Sequence, residues 1–544
     1  MDSTFDWDWL SPGSAALTSL ADAARFGIKP AASGRRGAAV TGHPIATRIA
    51  LDILERGGNA CDAALAASLA QTVVEPHLTS LTGCLSMMYY EAATGAVSYL
   101  NGNVNAPLRA LDRFGPSDLD TGRAMAVPGF WAALEAALEA KGSLPLASLA
   151  APAIRLAREG VPISPFLWGE IFARHGAIGR TAAGREVYFP NGTLIEPQDR
   201  LVQHALARTL ERLVAEGGAY FYHGAFARAV CEAAQGAGGV LTPEDFAAYQ
   251  VRWSDPIEGS YRGYKVFGAT PPDTGGAQLI EMLNLLECLD LQRLGPPTES
   301  LDALHAMILI CGEVANGAGR YGDPQASALD LEALLSKDYA ARRFDLLGMG
   351  GPRHPAFARR PAPPGSCHLT VSDAAGNIAT VLHSHLSLPW ATGLFVEGVS
   401  LAAPGGHFLN RMPAPGGRLS VMICPNMIFD GDRPVLASGS PTLNLLPAIL
   451  QCSSSILDFG ADLSHAVRLP RFGGPAESGR AAVTIEADFD PALLEGLVQR
   501  GVGIELMSPW NLHNGSFEAV HIHRDGAAEG CGDPRRTSSA MALA

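Results

Sequence analysis

Positive charge is scarce in this sequence of 544 residues. Lys and Arg number 40 against 54 Asp and Glu, so the net charge is −14, and no basic block offsets it locally. Such a balance opposes binding to phosphate backbones and to anionic membranes. We therefore expect neither nucleic acid nor a membrane among the partners.

Paired cysteines and long apolar runs are missing as well. The nine cysteines are an odd number, lie far apart and never show C-x-x-C spacing, which indicates reduced thiols and not a disulfide framework or a zinc site. The opening "MDSTFDWDWLSPGSAA" is acidic where a secretory signal is basic, and no apolar run of about 18 residues occurs. These absences predict a cytoplasmic protein.

The rest of the composition is that of a folded protein. Apolar residues make up 47% of the chain and charged residues 17%, which predicts a sizeable core. Helix and strand signals alternate without a short repeat, so we expect a mixed α and β protein built as one large layered domain or as several ordinary ones.

Several elements can be placed from local patterns. Pro44 suits the first position of a helix that Gly57 ends, and an Ala-rich helix with few charges, buried on most sides, is expected from Ala60. The run "LSMMYYEAATGAVSYL" predicts a hairpin that turns at Ala-Thr-Gly.

A Pro- and Gly-rich stretch, 348–365, is the best internal boundary. Directly after it, "CHLTVSD" and "IATVLHS" both alternate with period two around "AAGN", which predicts a hairpin that begins at or next to Ser366.

Gly365 and Ser366, at this join, allow a specific reaction. The Ser366 hydroxyl can attack the preceding carbonyl, since Gly365 has no side chain to block its approach. Hydrolysis of the ester would free an α-amine with a pKa of about 7.7 to 8, which can act as general base for its own residue's hydroxyl. Gly-Ser is common in loops, so a capped strand after a linker explains the spacing too.

Eight stretches of the chain, in order, resemble the γ-glutamyltranspeptidase (glutathione hydrolase) family of N-terminal nucleophile hydrolases over roughly residues 38 to 540. They are "GHPIATRIALDILERGGNACDAALAASLAQTVVEP", "VPGFWAALEAAL", "APAIRLAREGVPIS", "LTPEDFAAYQVRWSDPIEGSYRGYKVFGATPPDTGGAQLIEMLNLLE", "SCHLTVSDAAGN", "GSPT", "LPRFGG" and "GDPRR".

The resemblance implies an α+β fold, a four-layer αββα sandwich, made as a proenzyme and cleaved into two subunits. It divides the chain into an N-terminal extension, 1–37, a large-subunit portion, 38–365, and a small-subunit portion, 366–544. Ser366 stands where the family has its threonine nucleophile, and serine keeps the hydroxyl. Cys367 would point to the opposite face of the strand and is the poorer candidate.

The matching pocket positions depart from the family pattern. Asn103 replaces an arginine that grips the glutamyl α-carboxylate, and a neutral amide cannot replace a bidentate guanidinium. Gly406 and His407 stand where an acidic pair binds the α-ammonium group.

Two further motifs are partly kept. Ser420 remains from the family's S-S-M, whereas Val421 replaces its hydrogen-bonding neighbour. Thr442 and Leu443 replace the glycines of G-S-P-G-G but can still offer backbone N–H groups to an oxyanion.

The expected function is a serine-type hydrolase or acyltransferase that acts on a small amide or acyl substrate less polar than a γ-glutamyl donor. Losing both charged contacts should cost several kcal/mol, at about 1.5 to 3 for each charge-assisted hydrogen bond. A biosynthetic hydrolase of carbon–carbon or unusual amide bonds and an uncleaved pseudoenzyme with a binding or assembly role remain alternatives.

The remaining clusters are assigned to structure. The pairs in "HSH" (383–385) and "HIH" (521–523) are interpreted as strand histidines, since no third metal ligand can be placed. "GDPRR" is interpreted as a turn with surface arginines, and Ser384 or His385 is expected to support the new amine. No phosphate loop or metal site is found, and no cofactor is implied.

Overall fold

The computed structural model describes residues 7–325, 329–347, 365–475 and 483–544. Most of the predicted linker, 348–364, lies outside the described residues. The helices are α1 Ala15–Asp22, α2 Pro44–Glu55, α3 Ala60–Val74, α4 Phe130–Lys141, α5 Leu146–Glu159, α6 Pro165–Ile178, α7 Ala182–Tyr188, α8 His204–Tyr222, α9 Ala225–Gly236, α10 Pro243–Ala247, α11 Gly275–Glu287, α12 Leu291–Leu294, α13 Leu301–Gly317, α14 Leu331–Leu334, α15 Lys337–Leu347, α16 Gly405–Asn410, α17 Leu445–Phe459, α18 Leu463–Ala466 and α19 Pro491–Gln499.

The strands are mostly short and antiparallel. They are β1 Ala31–Gly34, β2 Gly37–Thr41, β3 Cys84–Glu91, β4 Ala96–Gly102, β5 Val161–Pro162, β6 Arg200–Leu201, β7 Arg252–Ser254, β8 Ile257–Tyr261, β9 Tyr264–Gly268, β10 Cys367–Asp373, β11 Ile378–Ser384, β12 Phe395–Val396, β13 Val399–Ser400, β14 Asn426–Asp430, β15 Arg433–Gly439, β16 Phe472–Gly473, β17 Val483–Glu486, β18 Ile504–Met507, β19 Glu518–Ile522, β20 Ala528–Cys531 and β21 Ser539–Leu543.

Two seven-stranded sheets form the centre of the molecule. Sheet I has the order β1-β20-β19-β15-β14-β9-β8, and sheet II has the order β21-β2-β10-β11-β3-β4-β7. The sheets face each other through apolar side chains, for example Val40 of sheet II with Val520 of sheet I. Helices α2 and α3 cover the outer face of sheet II, and α11 and α17 cover that of sheet I. The predicted four-layer αββα sandwich is therefore confirmed.

The helices that cover sheet II follow their sequence signals. Helix α2 begins at Pro44, and the His43 ring accepts the N–H of Ile45 at 3.2 Å. Helix α3 is buried along its whole length and starts with a capping box between Asn59 and Asp62. A helix without a polar face belongs in the interior, as its composition predicted.

The predicted hairpin lies in the middle of sheet II. Strand β10 pairs with β11 in a register that sets Cys367 opposite His383. Its turn is closed by Asp373, whose Oδ1 accepts the N–H groups of Ala375 (2.9 Å) and Asn377 (3.0 Å). Because β2 and β3 flank the hairpin, the start of β10 is held by neighbours on both sides. The 84–102 hairpin is also present, as β3 and β4.

The arginines of "GDPRR" are buried, so their interpretation as surface residues is wrong. Arg535 and Arg536 are 0% and 1% exposed. Arg535 Nε donates to Glu486 Oε1 at 2.8 Å, and Arg536 Nη2 lies 3.4 Å from Glu75 Oε1. Carboxylates from distant parts of the chain supply the charge that lets both guanidinium groups leave water.

Within the described residues, we find no helix with both the length and the apolar character needed to span a bilayer.

Candidate active site around Ser366

Ser366 directly precedes β10 and is partly buried. The residue before it, Gly365, has a φ of +109°, a conformation that residues with a Cβ rarely adopt. A Cβ on Gly365 would also lie 2.5 Å from Leu78 Cδ2. The backbone conformation therefore requires glycine beside the serine.

Ser384, at the end of β11, connects the Ser366 hydroxyl to the Gly365 carbonyl. Ser366 Oγ donates to Ser384 Oγ at 2.8 Å, and Ser384 Oγ donates to Gly365 O at 3.4 Å. The N–H of Leu386 donates to the same Ser384 oxygen at 2.9 Å, which fixes its position. The hairpin thus forms a hydrogen-bonded path from the hydroxyl to the preceding carbonyl.

Cys367 is separated from this path. It is fully buried, and its Sγ lies 3.5 Å from Glu75 Oε2. Burial and the nearby Glu75 carboxylate raise the pKa of the Cys367 thiol well above its ordinary value, so the thiolate form is disfavoured. This geometry supports Ser366 over Cys367 as the nucleophile.

The histidines near the hairpin are neutral. Burial lowers the pKa of His368 and His383 to about 3 and that of His385 to about 4. His383 contacts Thr79 Oγ1 at 2.9 Å, and His385 Nε2 donates to Pro76 O at 2.9 Å. Because the His385 ring is bound to Pro76 O whereas Ser384 contacts Ser366 directly, Ser384 fits the expected support of the new amine better than His385 does.

The loop with Thr442 and Leu443 starts beside the nucleophile's strand. It follows β15, whose last residue, Gly439, packs so closely on the His368 ring that a Cβ there would lie 2.1 Å from Cε1. In the part of the chain that is described, the backbone N–H groups of Thr442 and Leu443 donate to no other group. They are available to an oxyanion, although that role stays a prediction.

A small apolar cluster lies next to Ser384. It contains Leu386, whose N–H binds Ser384, together with Phe408 and Val421. Val421 is 6% exposed, and Val421 O accepts the N–H of Thr274 at 2.7 Å. The side chain at the family's hydrogen-bonding position therefore contributes apolar surface here.

Asn103 belongs to a buried cluster around Asp273, which the sequence analysis missed. Asn103 Nδ2 donates to Asp273 Oδ1 at 2.8 Å, and Asp273 Oδ2 accepts from Asn101 Nδ2 (2.9 Å), Ser86 Oγ (3.1 Å) and the Tyr99 hydroxyl. Burial raises the pKa of Asp273 to about 6, while these donors oppose that shift. The Asn103 amide is thus already engaged by protein.

Arg418 is a second charged residue that the sequence did not reveal. It is 2% exposed and donates to Asn105 Oδ1 at 2.6 Å, to Asn101 O at 2.9 Å and Oδ1 at 2.7 Å, and to Gln250 O. Its partners come from two segments far from Arg418 in the sequence, around Asn101 and at Gln250, so only the folded chain shows them. Because the Arg418 guanidinium already makes four hydrogen bonds to protein, it is not free to bind a substrate carboxylate.

The other pocket residues lie nearby but on different elements. Gly406 and His407 are on the short helix α16, which contributes Phe408 to the apolar cluster. Burial lowers the pKa of His407 to about 4, so this half-buried ring is uncharged at neutral pH. Ser420 Oγ donates to Pro272 O at 3.1 Å. Contact of these residues with a substrate stays a prediction.

Comparison with known proteins identifies the family. The family model described as gamma-glutamyltranspeptidase matches residues 46–543. The chain belongs to this family.

Proteins similar to this chain include a glutathione hydrolase and acylases. The glutathione hydrolase proenzyme of Bacillus subtilis (strain 168) is 30% identical, covering 94% of this chain and 92% of its own length. The acylase ACY 1 proenzyme of Pseudomonas sp. (strain SE83) is also 30% identical, covering 95% of both chains. A crystal structure of cephalosporin acylase from Bacillus halodurans superimposes with a TM-score of 0.84 at 25% identity, covering 95% of this chain and 97% of that one. The protein is an enzyme of the N-terminal nucleophile hydrolase class.

Proposed function

We propose that the chain is cleaved between Gly365 and Ser366, and that the freed Ser366 then acts as the nucleophile of an amide hydrolase or acyltransferase. The hydrogen-bonded path from Ser366 Oγ through Ser384 Oγ to Gly365 O carries this proposal. The proenzyme names of the similar proteins support it.

Cleavage uses groups that already touch. Ser366 Oγ attacks the Gly365 carbonyl carbon and passes its proton to Ser384 Oγ, while the Ser384 proton moves to the carbonyl oxygen. Collapse of this intermediate breaks the bond from carbon to the Ser366 nitrogen, which takes up a proton, and leaves an ester. Water then hydrolyses the ester to the Gly365 carboxylate and the Ser366 hydroxyl, so Ser366 ends with both its amine and its hydroxyl free.

The new amine is the base of the mature site. With neutral histidines around the hairpin, it is the group near Ser366 whose reference pKa, about 7.7 to 8, suits proton transfer near neutral pH. It takes the hydroxyl proton as Oγ attacks the substrate carbonyl, and the N–H groups of Thr442 and Leu443 bind the oxyanion.

The substrate is an acyl compound without the charged head group of a γ-glutamyl donor. Leu386, Phe408 and Val421 supply apolar surface beside Ser384. The nearby charges, Asp273 and Arg418, are each bound by several protein groups, so pairing either one with substrate would break existing hydrogen bonds.

The first experiment tests cleavage. Intact-mass analysis of the purified protein should give fragments 1–365 and 366–544, whereas Ser366→Ala should give only the full-length chain. Cys367→Ala is the matched control, because it truncates the next residue and should leave cleavage unchanged. Full-length wild-type protein that still turns over an acyl substrate would refute the proposal and favour an uncleaved mechanism.

The second experiment tests the acyl group. Turnover of γ-glutamyl-p-nitroanilide is compared with that of hexanoyl-p-nitroanilide, which has the same leaving group but no charged head. We expect a higher kcat/KM for the hexanoyl compound. Efficient γ-glutamyl turnover would overturn the substrate assignment while leaving the nucleophile intact.

We also propose the cytoplasm as the compartment, supported by the nine cysteines without C-x-x-C spacing. Fractionation of the native cells that recovers the protein outside the cytoplasm would refute this.

A further inference from the structure

Two histidines and a glutamate meet on the β19–β20 hairpin of sheet I, away from the hairpin that carries Ser366. One ligand atom from each of His521, His523 and Glu529 can be chosen so that all lie within 4.8 Å of one another. His523 Nε2 is 3.0 Å from Glu529 Oε2, and His521 Nδ1 is 4.0 Å from the same oxygen. The sequence alone placed only the two histidines, because it could not supply this third group.

The pairing of the strands explains why these residues share one face. His521 lies directly opposite Glu529 in the antiparallel register of β19 and β20. His523 is two residues further along, so it points to the same side as His521. The turn that follows is closed by hydrogen bonds from His523 N to Ala527 O (2.9 Å) and from Gly526 N to His523 O (3.0 Å). Backbone pairing therefore fixes the positions of the three side chains.

This face is the outer face of sheet I. Val520 and Ala528, the neighbours of His521 and Glu529, point between the sheets and pack against Val40. The alternate residues must then point outward, toward the helix layer. The cluster is consequently on the other side of sheet I from sheet II and from Ser366.

In the described part of the chain, one ring nitrogen of the more buried histidine lacks a hydrogen-bond partner. His521 Nδ1 is buried and makes no hydrogen bond among the described residues. A buried ring nitrogen without a partner costs free energy, and a metal ion would satisfy it. Glu529 is 8% exposed, so its carboxylate is also largely withdrawn from water beside the two rings.

The charges around the cluster permit a cation. Arg433 is a basic residue that acts on His521, but its Nη2 contacts Asp430 Oδ2 at 3.2 Å and its Nη1 donates to Ile522 O at 3.2 Å. Asp462, which precedes α18, adds a negative charge that acts on His521. The Arg433 charge is thus balanced by a carboxylate of its own.

We propose that His521, His523 and Glu529 bind one Zn²⁺ ion, with water in the fourth position. Two imidazole nitrogens and one carboxylate oxygen form a donor set that suits Zn²⁺. The ion would replace the proton held between His523 and Glu529 and would join β19 to β20. Because β20 also pairs with β1, the ion would stabilise the edge where the N-terminal strand is attached.

The test uses the full-length protein without a polyhistidine tag, stripped of metal by a chelator. Titration with ZnSO₄, followed by calorimetry, should show one saturable site per chain, and Zn²⁺ should raise the Tm. Co²⁺ should give the visible absorption of a tetrahedral nitrogen and oxygen site.

Three variants and one control complete the test. Loss of a residue that only supports a metal ligand weakens metal binding by about 10- to 100-fold. We expect a larger loss of Zn²⁺ affinity from each of His521→Ala, His523→Ala and the isosteric Glu529→Gln. His175→Ala, at an exposed histidine of α6, should bind like the wild type. If an alanine variant does not fold, the test rests on Glu529→Gln, whose circular dichroism spectrum should match that of the wild type. Absence of a one-to-one site, or wild-type binding by Glu529→Gln, would overturn the proposal.

Discussion

Ser384→Ala should uncouple folding from cleavage. The substitution removes the oxygen that accepts from Ser366 Oγ (2.8 Å) and the hydroxyl that donates to Gly365 O (3.4 Å). It leaves Ser366 itself, Gly365 and the whole of β10 in place. If the proposed path is correct, the variant folds but cleaves slowly.

The size of both effects can be worked from the contacts. Loss of one donor to a developing oxyanion costs about 100- to 1,000-fold in rate, so a comparable fall in the cleavage rate is expected. The Leu386 N–H, which donates to Ser384 Oγ at 2.9 Å, loses its partner too, and an unpaired buried donor costs about 1–3 kcal/mol. That loss is small enough for the chain to fold.

The assay follows the two fragments on a denaturing gel over time, starting from newly refolded protein. Ser68→Ala is the matched control, because Ser68 is equally buried and its hydroxyl makes no hydrogen bond among the described residues. It should cleave at the wild-type rate. A Ser384→Ala protein that folds and cleaves as fast as this control would refute the role assigned to Ser384.

Three further predictions follow from the same contacts. Cys367→Ala should keep cleavage and turnover within a few-fold of the wild type, because the buried thiol has its pKa raised and faces Glu75; a complete loss measured with hexanoyl-p-nitroanilide would instead make Cys367 the nucleophile. Turnover by cleaved enzyme should rise with pH through about 7 to 8, where the Ser366 amine loses its proton, and a rise near pH 4 would point to a buried histidine instead. Burial raises the pKa of Glu518 to about 8, so the folded state keeps a proton that the unfolded state releases near pH 4.3. The free energy of unfolding should therefore fall by up to about 1.4 kcal/mol per pH unit between these two values. Denaturant unfolding of the uncleaved Ser366→Ala protein should show this decline, and addition of Glu518→Gln should remove it.

Local patterns could be predicted from the sequence because they depend on neighbours in the chain. The period of two on both sides of "AAGN" located β10 and β11, and Pro44 located the start of α2. The Ser384 contact follows from that hairpin, since its register sets Cys367 opposite His383 and so brings Ser384 to Ser366.

The rest of the site depends on contacts between distant segments. Asp273 meets Ser86 and Asn103 only because the end of sheet II packs against the chain before α11. Glu529 reaches His523 only through the strand pairing of sheet I. No spacing in the sequence announces such a contact, and the burial of Arg535 by Glu486 was missed for the same reason.

Cleavage and activity should be inseparable in this chain. Before cleavage, the rings of His368, His383 and His385 hold pKa values far below neutral, and the Ser366 nitrogen is an amide that cannot accept a proton. Breaking the bond after Gly365 creates a basic amine on the residue that also carries the hydroxyl. Ser384 contacts that hydroxyl in the intact chain, so one short path would serve first the cleavage and then each turnover. A variant that is arrested before cleavage yet hydrolyses an acyl anilide at the wild-type rate would show that the base lies elsewhere.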